Sequence, residues 1–113
     1  MLRASAKATN STIDLRVITS DDAGDGGIPH GSVLTAFVEA VLGNDEARLT
    51  DTRQRVRDDL GDAALVDSAA VIANYCALDR VADATGIPLE SAKEKNTAEL
   101  RTALGIDDFA RRP

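Results

Sequence analysis

DAALVDSAAVIANYCALDRVADATGIPLE, running from Asp62 to Glu90, decides the fold class of this chain. Between Ala69 and Leu78 the polar side chains are Asn74 and the phenol tip of Tyr75, so a helix here is apolar around most of its circumference and calls for packing on several sides. Asp62 can cap its start by accepting from first-turn N–H groups, and Gly86 can take the left-handed conformation that ends a helix. Pro88 blocks continuation. Asp79, Arg80 and Asp83 interrupt the apolar run well short of the ~20 residues a membrane span needs.

Outward from this helix, glycines mark the rest of the architecture. Gly43, Gly61, Gly86 and Gly105 each follow a segment of helical character, which predicts four helices and an all-α fold, a small helical bundle. In the first, Ser32 to Leu42, the residues Val33, Leu34, Phe37, Val38, Val41 and Leu42 form one apolar stripe behind a Ser32 cap. The second, about Leu49 to Leu60, has the thinner face Leu49, Val56 and Leu60, and Asp51 with Gln54 resembles a capping box that would start it a turn later. The fourth, about Leu89 to Leu104, is weakly amphipathic, with Leu89, Ala92, Leu100, Ala103 and Leu104 on one side. After Gly105 the tail is expected to dock Ile106 and Phe109. Phe37, Val56, Leu65, Ile72, Tyr75 and Leu78 are the expected core.

The first thirty residues form a flexible N-terminal segment ahead of a helical domain over 31–113. Ile13, Leu15 and Val17 alternate with Asp14 and Arg16, the period of a short extended segment. DDAGDGGIPH follows as a solvated linker.

Length and charge bound the function. At 113 residues the chain suits one domain. A formal net charge of −6 disfavours sequence-independent nucleic-acid binding, which needs Lys and Arg to displace counterions from phosphates. Three aromatic residues, Phe37, Tyr75 and Phe109, exclude stacking platforms for single strands. One cysteine permits no intrachain disulfide, and no secretory apolar stretch precedes Asp14, so a cytoplasmic protein is expected. No membrane or nucleic-acid partner is expected.

No nucleophile, base and metal ligands converge in the pattern. His30, the sole histidine, sits in a loop and is a weak candidate base, because an imidazole base needs an orienting carboxylate. Asp21, Asp22 or Asp25 would supply it only if the loop folds back. The same three aspartates among Gly24, Gly26 and Gly27 suggest a calcium loop, but their spacing departs from D-x-[DN]-x-[DN]-G and the closing Glu is missing, so no metal is expected. Cys76 reads as a small buried hydrophobe, since a reactive thiolate needs a nearby cation and Arg80 alone is at hand. Asp67 and Asn74, seven apart on one side of the central helix, are weak candidates for a ligand contact.

Two pieces carry a family likeness. LTAFVEAVLGND followed by RVRDDLGD is similar to a helix pair, and GDAALVDSAAVIANYCALDRVADATGIPLE, with its Asn-Tyr centre and G-I-P-L end, is similar to the last core helix, of the alkylhydroperoxidase-D-like, or carboxymuconolactone decarboxylase, superfamily. The resemblance covers about half the chain, from Val33 to Glu90. It implies an all-helical fold and trimers or hexamers. The family's peroxidase branch uses a Cys-x-x-Cys pair with nearby His and Glu, because a sulfenic acid formed on one thiol must be captured by another. This chain lacks the pair, and neither Cys76 nor His30 maps onto a family position. The expectation is a reduced, redox-inactive relative, without cofactor, working as a homo-oligomer or beside a fuller subunit. A decarboxylase-like enzyme with a site between subunits, or a generic helical interaction module, are the alternatives.

Overall fold

The computed structural model describes residues 8–10, 12–19 and 24–111, the side chains of 109–111 apart. Asp21, Asp22 and the Phe109 side chain lie outside the described residues. Among the described residues four helices, α1 (Gly31–Leu42), α2 (Glu46–Leu60), α3 (Asp62–Thr85) and α4 (Ser91–Leu104), are framed by 3₁₀ turns at Leu15–Ile18 and Ile106–Arg111. No strand occurs among them, and the fold is a small all-α bundle.

The helix ends use different caps from those the sequence suggests. Helix α2 begins a turn before Leu49, because the Asp45 carboxylate accepts from the Arg48 N–H at 3.0 Å. Gln54, expected in a capping box with Asp51, lies inside the helix and donates to Asp58 at 2.8 Å. Helix α1 starts at Gly31 rather than after Ser32, preceded by His30 in the left-handed region (φ 58°). Asp62 does not cap α3: it is the first helical residue, and its carboxylate accepts from Arg57 Nε at 2.9 Å, bracing α2 against α3 across Gly61. At the far end the expectation holds. Gly86 turns left-handed (φ 63°) and its N–H donates to the Ala82 carbonyl at 2.9 Å.

Helix α2 packs against α1 on one side and α3 on the other. The core sits at their junction, where Val56, fully buried, meets Val33, Phe37 and Ile72, with Leu49, Leu60, Leu65 and Cys76 partly buried around them. Thr52, one turn from Val56, is buried too, its hydroxyl donating to the Arg48 carbonyl at 2.9 Å. An Arg48–Glu39 ion pair ties α1 to α2 at the surface.

Two expected core residues are not in the core. Tyr75 is 59% exposed and Leu78 56%, while Leu65 is only half-buried. Helix length is the cause. At 1.5 Å per residue α2 is about 22 Å long and α3 about 36 Å, so α2 shields only the N-terminal part of α3. Helix α4 does not fold back over the remainder. It packs on the C-terminal 3₁₀ turn, fastened by Arg101, which donates to Asp107 at 3.0 Å, the Glu94 carbonyl at 2.9 Å and the Thr97 hydroxyl at 2.8 Å. The radius of gyration is 15.7 Å, against about 13 Å for a compact domain of this length.

The N-terminal region keeps its alternation but not its expected backbone. Ile13, Leu15 and Val17 are half-buried and Asp14 and Arg16 exposed, yet the chain winds into a 3₁₀ turn because Asp14 accepts from the Arg16 N–H at 3.0 Å. The Asp14 N–H donates to the Gly26 carbonyl at 2.9 Å, and Asp25 accepts from the Gly27 N–H at 2.9 Å. From Gly24 onward the glycine stretch is therefore a packed turn. A Cβ on Gly27 (φ 75°) would stand 2.4 Å from the Thr12 carbonyl oxygen, and one on Gly31 2.1 Å from that of Asp25.

Chemical denaturation should rank three variants. Ile72→Ala costs ~2–5 kcal/mol through lost transfer energy and the cavity left behind. Gly31→Ala, forced against backbone that cannot rotate away, costs about 1–3 kcal/mol. Asp25→Ala, which removes one exposed side-chain acceptor, ranks last; a larger loss there than at Gly31 would contradict the packed turn.

Candidate functional site: an uncovered helix face

The residues that the sequence singles out for chemistry do not come together. His30 is exposed at the start of α1 and its side chain makes no cap. Cys76 is half-buried against the Val33, Phe37, Val56 and Ile72 cluster. Asp67 and Asn74 are exposed on α3, on the side turned away from Ile72 at 3.6 residues per turn. Among the described residues, no group of three His, Cys, Asp or Glu could hold a metal ion.

Among the open hollows along the surface of the described residues are three whose walls leave out His30, Asp67, Asn74 and Cys76. The largest, about 550 Å³, lies between the N-terminal turn and the glycine turn, lined by Asp14, Arg16, Val17 and Gly24 to Gly27. A second, about 160 Å³, separates Ile13 and Leu15 from Leu100, Ala103 and Leu104 of α4. The third, about 280 Å³, lies at the α1–α2 connection, between Ala40 and Leu49.

In the largest hollow the polar groups already satisfy one another. Arg16 reaches both Asp14 oxygens, through Nε at 3.0 Å and 3.2 Å and through a terminal nitrogen at 2.7 Å. These side-chain bonds, reinforced by the Arg16 backbone N–H, hold the Asp14 carboxyl at about 2, and the same pairing raises the Arg16 guanidinium. A carboxylate so depressed is a poor general base at neutral pH, and its oxygens are taken up by the guanidinium.

The outer surface of α3 is the feature with something left to bind. Val66 is 66% exposed, Val71 57%, Tyr75 59%, Leu78 56% and Val81 57%; just beyond the helix, Ile87 is 64% and Leu89 51% exposed. Val71, Tyr75, Leu78 and Ala82 recur at i, i+4, i+7 and i+11, one continuous stripe. Large apolar side chains gathered on one helix are what a protein interface looks like before it is covered. The stripe's apolarity was legible in the sequence; its exposure was not, since a many-sided apolar helix reads equally as an interior one. Among the described residues, no helix is long and apolar enough to cross a membrane.

The Asp14–Arg16 pair has a pH signature. Because folding lowers the Asp14 pKa, its contribution to stability is present above the ordinary carboxylate pKa near 3.8 and is lost as pH falls toward about 2. A carboxylate titration by NMR should find Asp14 with a midpoint near 2, and Arg16→Ala should return it to the ordinary aspartate range.

No family model, curated protein or solved structure matches the chain.

Proposed function

We propose that this chain works by association, as a helical subunit of an oligomer, with α3 as its docking element. The observation that carries the reading is the exposed C-terminal part of α3, where Val71, Tyr75, Leu78 and Val81 stand in solvent at more than half their area. Leaving such side chains in water forgoes about 25 cal/mol for every Å² that a partner would cover. The pattern of hydrogen bonds supports association over catalysis: Asp14 is held by Arg16, Asp62 by Arg57 and Asp107 by Arg101, each in an ion pair with a structural part to play. The likeness to the alkylhydroperoxidase-D-like superfamily, whose members commonly assemble, points the same way and would make this chain a reduced relative without the redox pair.

Sedimentation or light scattering at micromolar concentration tests this. The intact chain is expected as a dimer or trimer, and Leu78→Glu is expected to reduce it to a species near 11.9 kDa with the same helical circular dichroism. A monomeric intact chain would overturn the proposal. Redox chemistry gives an independent check. With one thiol and no resolving partner, dithiol-dependent turnover of an organic hydroperoxide is expected to be nil, and activity that disappears in Cys76→Ser would restore a redox role.

A further inference from the structure

We draw no further inference here: the strongest candidate, the exposed apolar stripe of Val71, Tyr75 and Leu78 along α3, belongs to the site already described, and nothing in the structure shows what covers it.

Discussion

Val56 on Ile72, with Val33 and Phe37 closing the other side, is the contact on which this architecture depends. Val56 is fully buried, and it lies on the middle helix, which alone touches both of its neighbours in the three-helix array. Helix α2 can serve two partners from a narrow stripe because its core-facing residues, Leu49, Thr52, Val56 and Leu60, are spaced three and four apart. Its remaining surface is charged and supports no third layer. The core is therefore thin, and it ends where α2 ends.

The unequal lengths of α2 and α3 turn that thin core into an unfinished one. Had α4 folded back, its face would have met Tyr75 and Leu78; instead Leu100 and Leu104 face the N-terminal residues Ile13 and Leu15. Pro88 in the α3–α4 connection, two residues after the left-handed Gly86, carries the chain away from the helix it has just left. The chain's apolar content is thus divided between a buried junction and an open stripe, and the stripe belongs to the same helix that supplies Ile72.

Helix existence was legible wherever glycine punctuation and an apolar stripe coincided, and Gly61, Gly86 and Gly105 do follow α2, α3 and α4 with positive φ. Caps were less legible, because Asp45, Asp51 and Asp62 are chemically equivalent candidates and only the backbone path decides which carboxylate meets a free N–H. Burial along α3 was legible for Ile72 and not for Tyr75 or Leu78, since the pattern of one helix carries no information about how far its neighbour extends. Thr52 was invisible for a related reason: its hydroxyl is satisfied by the α2 backbone itself, so a polar residue takes an inward position at little cost. Of the candidate site, composition marked the helix and left its open side unmarked. His30, Cys76, Asp67 and Asn74 drew attention by residue type, and the structure sets His30 in an exposed turn, Cys76 against the core, and Asp67 and Asn74 on the exposed side of α3.

The packing of α1 on α2 and of α2 on α3 joins helices that are neighbours in sequence. Contacts of such short range need little loop closure before they form, the topology associated with folding in microseconds to milliseconds. An α2–α3 hairpin braced by Arg57 and Asp62 across Gly61 can form with no help from either terminus. During synthesis, α1 and α2 leave the ribosome before α3, held together by Val33 and Phe37 against Val56 and by the Arg48–Glu39 ion pair. The nascent chain consequently closes its core only when Ile72 emerges to cover the other side of Val56.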